Sequence, residues 1–149
     1  MAISPKDHDN TVSYELAIIN ALKKAAVEWV ALAGYMKIVG PTLLSAYTNR
    51  MLNIHPSLLP SFKGLNAQQQ ALDGGVKVSG CTVHFVDDSL DGGPIIAQRT
   101  VPVSHDDTDD SLSARILIQE HELFAEVLQL IATNRVQLDG RTVIISDPA

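Results

Sequence analysis

The sequence is short of cysteine, of basic residues and of long apolar runs, and each shortage excludes a class of protein. Among 149 residues there is one cysteine, Cys81, so neither an internal disulfide nor a zinc site built from several cysteines can form. The 11 Lys and Arg against 17 Asp and Glu give a net charge of −6. That balance argues against nucleic acid as the main partner, because phosphate binding needs clustered cations.

No apolar run approaches the roughly 18 residues of a membrane-spanning helix, and no apolar signal segment opens the chain. We therefore expect a cytoplasmic protein that uses neither nucleic acid nor a membrane as a partner.

The composition is that of an ordinary globular protein. Hydrophobic residues make up 46% of the sequence and charged residues 19%. The length fits one domain, and the chain contains no internal repeat, low-complexity tract or linker. We therefore expect residues 1–149 to form a single domain.

Hydrophobic periodicity predicts an α/β domain with a mixed sheet. The predicted helices are 13–26, 41–48, 68–72 and 111–133, and the predicted strands are 29–34, 51–55, 81–86 and 95–103, followed by a hairpin in VQLDGRTVII. The first helix carries Leu16, Ile19 and Leu22 on one face, and Glu15 favours its positive end. The apolar run 29–34 is typical of a strand buried on both faces in a parallel sheet. Only eight residues separate the strands 81–86 and 95–103, so those two strands should be antiparallel.

A polar pair marks the carboxyl end of the second strand. Asn53 and His55 lie on one face of that strand because side chains alternate along it. Ligands of open α/β sheets bind outside the carboxyl ends of the strands, which makes the pair a candidate site. The alternative is that both side chains only bond the following turn, PSLLP. Pro56 and Pro60 bracket that turn, for which we predict a cis Leu59–Pro60 bond.

The loop DDSLDGGP (87–94) is a second candidate site. It contains three aspartates and a glycine pair, which allows positive φ and close approach of the backbone to a ligand. Asp91 follows Leu90 and precedes the glycines, so it is the aspartate most suited to point inward. The alternative is a solvated acidic turn, which is the interpretation that suits Asp87 and Asp88. The spacing lacks the Asp-x-Asp-x-Asp-Gly pattern of a calcium loop, so we expect no metal.

Three further polar residues occupy positions expected to be buried. Glu120 falls on the apolar stripe of the long helix, where a carboxylate needs a partner. It either rotates toward solvent or borders a cleft and accepts hydrogen bonds from a ligand's hydroxyls. His84 and Thr82 share a strand face, and we expect them to support the site rather than to react.

Four segments together resemble the folate-dependent glycinamide ribonucleotide formyltransferases. They are LAGYMKIV (32–39), LNIHPSLLPSFKG (52–64), GCTVHFVDDSLDGGPIIAQ (80–98) and ARILIQEH (114–121). Asn-x-His-Pro-Ser-Leu-Leu-Pro followed downstream by Leu-Asp-Gly-Gly-Pro is far more specific than either motif alone. The resemblance covers the chain from Ser13 to about Thr133 and implies a Rossmann-like formyltransferase fold. It also implies 10-formyltetrahydrofolate as co-substrate and the amine of glycinamide ribonucleotide as acceptor.

The resemblance also implies a role for individual residues. The catalytic residues are Asn53, His55 and Asp91. The folate-binding residues are Met36, Lys37, Ile38, Val39, Asn53, Asp87 and Asp91, with the backbone of Met36 to Val39 meeting the pterin. Glu120 and Pro56 contact the acceptor, Glu120 through the ribose. His84 and Thr82 lie behind the reacting groups and support them.

One departure from the family pattern concerns the start of the chain. In the family, a βαβ unit with a glycine-rich phosphate-binding loop precedes the first helix, whereas residues 1–12 contain no glycine. We therefore expect an N-terminally truncated form of the fold, whose single domain is incomplete at the N-terminus.

Other functions remain as alternatives. Formyltetrahydrofolate hydrolases share the Asn-x-His motif and the SFKG after it, but transfer the formyl group to water. Methionyl-tRNA formyltransferases are disfavoured by the acidic charge. A catalytically silent folate-binding remnant is the alternative from outside the enzymes. A homodimer is a further expectation, because an open sheet edge can pair with a second copy.

Overall fold

A mixed sheet forms the centre of the structure, a computed structural model that describes residues 2–35 and 37–148. Its four strands lie in the order β1-β2-β3-β4. They are β1 (Val30–Leu32), β2 (Met51–His55), β3 (Val78–Phe85) and β4 (Ile95–Pro102). β1 and β2 are parallel, whereas β2, β3 and β4 are successively antiparallel. The predicted mixed sheet and the predicted antiparallel pair are confirmed.

The helices surround this sheet, and a small hairpin follows the last of them. They are α1 (Thr11–Lys24), α2 (Pro41–Ala46), α3 (Ala67–Asp73) and α4 (Asp109–Ala132). Asn10 caps α1 and Thr108 caps α4, each through a reciprocal pair of hydrogen bonds with the serine three residues later. The hairpin consists of β5 (Val136–Asp139) and β6 (Thr142–Ile145). In the part of the chain that the structure describes, no helix is both long enough and apolar enough to cross a membrane.

The two faces of the sheet pack against different helices. On one face, Leu52 and Val83 pack with the buried side of α4. On the other face, Met51 packs with residues of α1 and α2. Because side chains alternate along a strand, Asn53 and His55 lie on the same face as Met51.

The strand register brings four polar side chains together on that second face. Asn53 is opposite His84, and His55 is opposite Thr82. Directly opposite residues of antiparallel strands point to the same side of the sheet. The pairing of β2 with β3 therefore joins the two motifs that the sequence places about thirty residues apart.

Two details of the predicted elements are wrong. β1 is not buried on both faces: Ala31 is exposed, and Val30 and Leu32 are half-buried. The reason is that β1 lies at the edge of the described sheet and pairs only with β2. Leu16 of the predicted apolar face of α1 is 47% exposed, whereas the neighbouring Glu15 is buried.

The predicted cis bond between Leu59 and Pro60 is present.

Candidate active site

Asp91 lies between two histidines at the carboxyl end of β2. Its Oδ2 is 3.4 Å from Nδ1 of His55, and its Oδ1 is 3.8 Å from Nε2 of His84. All three side chains are largely shielded from solvent, with 7% of His55, 3% of His84 and 12% of Asp91 exposed. Asn53 joins the group through its Nδ2, which is 3.4 Å from Nε2 of His84. The three residues predicted to be catalytic therefore converge, and His84 links them.

His84 is suited to hold Asn53 in one orientation. Its Nδ1 lies 2.8 Å from the carbonyl oxygen of Phe85, an acceptor, so Nδ1 carries the proton. In the neutral ring Nε2 then accepts from the amide of Asn53. Burial lowers the pKa of His84, and the Phe85 carbonyl and the Asp91 carboxylate raise it by less. The neutral ring thus fixes which end of the Asn53 amide faces inward.

Both ring nitrogens of His55 face hydrogen-bond acceptors. Nε2 is 2.8 Å from the carbonyl oxygen of Phe62, and Nδ1 faces Asp91. A neutral imidazole has one donor, whereas a protonated imidazole has two. The ring of His55 therefore lies between two acceptors, one on the backbone and one on Asp91.

The loop that carries Asp91 is held in a conformation that ordinary residues seldom adopt. Asp91 itself has a φ of 46°, in the left-handed region. A side chain at position 93 would collide with the backbone, because a Cβ on Gly93 would lie 1.8 Å from the carbonyl oxygen of Phe85. The glycine therefore lets the loop press against the end of β3, which turns Asp91 toward the histidines.

Backbone groups of the SFKG segment complete the cluster, and sequence analysis missed them. The N–H of Gly64 donates to Oδ2 of Asp91 at 2.8 Å, and the carbonyl of Phe62 accepts from His55. Phe62 and Gly64 both have positive φ, at 55° and 76°. The glycine is the only signal in the sequence for this turn, because backbone donors and acceptors leave no residue pattern.

Thr82 supports the site by holding the turn between His55 and Pro60. Its hydroxyl donates to the carbonyl of Ser57 at 2.7 Å and accepts from the N–H of Leu59 at 3.1 Å. The side-chain amide of Gln98 donates to the same hydroxyl and to the carbonyl of Leu59. Thr82 is fully buried, so the loss of these bonds would leave buried polar groups unpaired. Gln98 is a further supporting residue that the sequence did not reveal.

The segment predicted to meet the folate follows β1 at the same edge of the sheet. Leu32, the last residue of β1, is opposite Asn53, so the following loop emerges beside the cluster. Ile38 is 79% exposed, whereas Val39 is buried against α1 and α2. The amine of Lys37 lies 5.7 Å from the centre of the Tyr14 ring. Met36 lies outside the described residues.

The side chain of Asp87 forms its hydrogen bonds within its own loop. Its Oδ1 accepts from the backbone N–H of Ser89 at 2.9 Å and from the hydroxyl of the same residue. This local turn precedes Asp91 and shapes the loop. The contacts that Asp87 makes in the structure therefore serve to shape the loop. A contact of Asp87 with folate stays a prediction.

The two residues predicted to contact the acceptor lie on different sides of the cluster. Pro56 directly follows His55 and is half-buried. Glu120 lies on α4, close enough for its charge to act on Cys81 on the opposite face of the sheet. Burial raises the pKa of Glu120. Within residues 2–35 and 37–148, no hydrogen bond or ion pair joins Glu120 to the cluster, and its contact with the acceptor stays a prediction.

Cys81 is not available as a nucleophile, and this can be tested. It is fully buried, and burial, with the negative charge of Glu120 next in size, raises the pKa of its thiol to about 11. Since the thiolate is the reactive form, we expect no labelling of the native protein by iodoacetamide at pH 8. Mass spectrometry should show complete labelling of the urea-denatured chain over the same period. Equal rates for the two states would contradict this picture of Cys81.

Among the described residues, no three histidine, cysteine, aspartate or glutamate side chains converge as metal ligands would. The acidic and imidazole groups of the cluster face one another and the backbone instead. The functional groups of the cluster are one carboxylate, one amide and two imidazoles.

Known proteins place the chain in a family. The sequence pattern of formyl transferases matches residues 1–128. The phosphoribosylglycinamide formyltransferase of Bacillus subtilis is 47% identical over 134 residues, which are 89% of this chain and 69% of that protein. Glycinamide ribonucleotide transformylase 1 from Symbiobacterium toebii superimposes with a TM-score of 0.94 at 48% identity, over 97% of this chain and 68% of that one.

A second kind of enzyme is also similar, at lower identity. A formyltetrahydrofolate deformylase from Pseudomonas syringae superimposes with a TM-score of 0.88 at 33% identity, over 97% of this chain and 48% of that one. The chain spans only 10 to 15% of the long trifunctional purine biosynthetic proteins of animals that it also matches. With the family pattern covering most of its length and relatives identical at nearly half of the aligned positions, this chain belongs to the formyl transferase family.

Proposed function

We propose that the chain transfers a formyl group from 10-formyltetrahydrofolate to the amine of glycinamide ribonucleotide, a step of purine biosynthesis. The observation that carries the proposal is the convergence of Asn53, His55 and Asp91 in a member of the formyl transferase family. The relatives with the higher identity bear the names of enzymes with this activity. We further propose that residues 1–149 belong to one formyltransferase domain.

The cluster supplies the groups that formyl transfer requires. Attack of an amine on the formyl carbon gives a tetrahedral intermediate with a negatively charged oxygen. Donors placed in advance stabilise such an oxygen, each typically by ~2.7–4 kcal/mol of the barrier. The Asn53 amide and a protonated His55 are those donors, and His55 exchanges the Phe62 carbonyl for the oxygen of the intermediate.

Asp91 has two functions in this scheme. Its carboxylate faces Nδ1 of His55 and orients the ring that donates to the oxyanion. It also stands where it can hold a water that takes the proton from the attacking amine and returns one to the leaving nitrogen of tetrahydrofolate. The proposed steps use the side chains of the cluster and one water molecule, and they form no covalent bond between enzyme and substrate.

The direct test is an assay of this chain with 10-formyltetrahydrofolate, with and without glycinamide ribonucleotide. Mass spectrometry follows tetrahydrofolate and the formylated ribonucleotide. We expect both products only when the acceptor is present. Release of tetrahydrofolate at the same rate without acceptor would instead identify a hydrolase, which the deformylase similarity makes the second candidate. No product in either mixture, together with folate binding, would identify a silent binding protein.

The proposal extends to location and assembly. We propose that the protein is cytoplasmic, because its single thiol is free and buried. We also propose that its partners are its two small-molecule substrates. We also propose a homodimer, because β1 offers one unpaired edge within the described sheet. Sedimentation velocity over a range of concentrations tests the dimer, and a monomer at 100 μM, well above the micromolar dissociation constant of a moderate interface, would contradict it.

A further inference from the structure

The terminal hairpin reaches the loop that carries Asp91. The guanidinium of Arg141, at the turn between β5 and β6, donates from Nη2 to the carbonyl oxygen of Gly92. Gly92 directly follows Asp91 in the chain. The hairpin lies outside residues 1–128, the range that matches the family pattern. A contact with the candidate active site therefore comes from a part of the chain to which that pattern assigns nothing.

The side of the loop that faces the hairpin borders a cavity. A cavity of about 420 Å³ lies between the loop and the hairpin, lined by Lys63, Asp91, Pro94, Arg141 and Val143 among others. Asp91 also holds a left-handed φ of 46°, which a non-glycine residue keeps only when its surroundings impose it. The hydrogen bond from Arg141 crosses this cavity and holds Gly92, the residue that follows Asp91 in the chain.

The hairpin is itself fixed firmly enough to hold the loop. Val136, Leu138 and Val143 pack against the main core. The base of the hairpin is closed by Arg135, whose Nε donates to the carbonyl of Ser146 at 2.7 Å. Arg141 is thus the tip of an anchored element and not the end of a free tail.

We propose that Arg141 is a positioning residue, which holds the Leu90–Pro94 loop through Gly92 so that the Asp91 carboxylate meets His55, His84 and the N–H of Gly64. The amide group of Gly64 is 2.8 Å from Oδ2 of Asp91, so it reports the position of the carboxylate directly. His84 is a second reporter, because Asp91 is one of the groups that raise its pKa, along with the Phe85 carbonyl and Asp87.

The test compares Arg141→Ala with Asp91→Asn by NMR on the full chain. In both variants we expect a lower pKa of His84 than in the unaltered protein. Faster hydrogen exchange at the Gly64 amide is expected only in Arg141→Ala, because asparagine at position 91 keeps an oxygen that accepts from this N–H. Arg135→Ala is the matched control: it removes an arginine–carbonyl bond from the same hairpin, while the backbone bond from the N–H of Ser146 to the carbonyl of residue 135 keeps the base of the hairpin closed. It should change neither reporter. Arg141→Lys keeps a single donor and should restore part of the wild-type behaviour.

A kinetic measurement adds a second readout, which rests on the proposed function. With both substrates, Arg141→Ala should lower kcat by about 10- to 100-fold, the cost of a displaced catalytic group, with KM values nearly unchanged. If the unaltered chain shows no transfer, the proposed function fails while the NMR test still decides the role of Arg141. Wild-type Gly64 exchange and His84 titration in a folded Arg141→Ala protein would overturn the inference. Should that variant not fold, the same result in Arg141→Met, which keeps an unbranched apolar stem but has no donor for the Gly92 carbonyl, would overturn it.

Discussion

Asp91→Asn is expected to reduce formyl transfer by about 10²- to 10⁴-fold in kcat, the usual contribution of a positioned acid or base. Asparagine keeps the size of the side chain and one oxygen for the N–H of Gly64, so the loop should stay in place. What is lost is the negative charge beside His55 and, in the proposed mechanism, the carboxylate that holds the water which takes the amine's proton. Steady-state rates with both substrates, together with circular dichroism to confirm the fold, measure this directly.

The same loop offers a matched control in Asp88→Asn. Asp88 is exposed, and the substitution makes the same change of charge three residues away. We expect its kcat to stay within about twofold of the unaltered protein, because surface changes of this kind cost little. Equal losses in the two variants would mean that the general charge of the loop matters and that Asp91 has no special role. Near-normal turnover of Asp91→Asn would remove Asp91 from the mechanism.

The fold could be predicted from the sequence where local signals agree with long-range contacts. The strand 51–55 and the antiparallel pair β3–β4 were predictable because their periodicity and the short loop between them leave little choice. The burial of β1 was not, because a run of apolar residues indicates a strand but not its neighbours. Whether such a strand is central or at an edge depends on chain segments distant in sequence.

The site was predictable to the extent that it depends on side chains. Asn53 and His55 were placed by strand geometry, and Asp91 by its glycines, and the structure brings the three together. Their catalytic roles stay predictions. The contributions of Phe62 and Gly64 were not predictable because they are made by the backbone. Arg141 and Gln98 were missed because their partners are also backbone carbonyls, 49 and 39 residues away.

Glu15 is the clearest case of a residue whose local interpretation was incomplete. Near the start of α1 it favours the positive end of that helix, and sequence analysis found no more than this. In the structure its carboxylate leaves α1 and binds the start of α2. It accepts from the N–H of Gly40 at 2.5 Å and from the N–H of Leu43 at 3.1 Å. Gly40 has no side chain with which to cap α2, so the cap comes from a residue 25 positions earlier.

Glu15→Ala is therefore expected to lower the free energy of unfolding by about 3 kcal/mol. A hydrogen bond to a charged group contributes at least about 1.5 kcal/mol, and this substitution removes two of them. Glu15 is only 2% exposed, so water cannot easily replace the lost acceptor at Gly40 and Leu43. For a chain of this size the loss corresponds to a fall in Tm of roughly 6–12 °C. Glu15→Gln should fall in between, because its amide keeps one acceptor oxygen but turns an NH₂ group toward the second N–H. Urea denaturation followed by circular dichroism measures the difference.

The loss should also affect the proposed folate site, because Gly40 directly follows the segment Met36 to Val39 in the chain. With the helix start released, we expect the KM for 10-formyltetrahydrofolate to rise more than the KM for the acceptor. Glu28→Ala is the matched control: it removes a glutamate that is exposed, and should change stability by no more than about 0.5 kcal/mol. An unfolding free energy of Glu15→Ala equal to that of Glu28→Ala would show that the buried carboxylate does not hold α2.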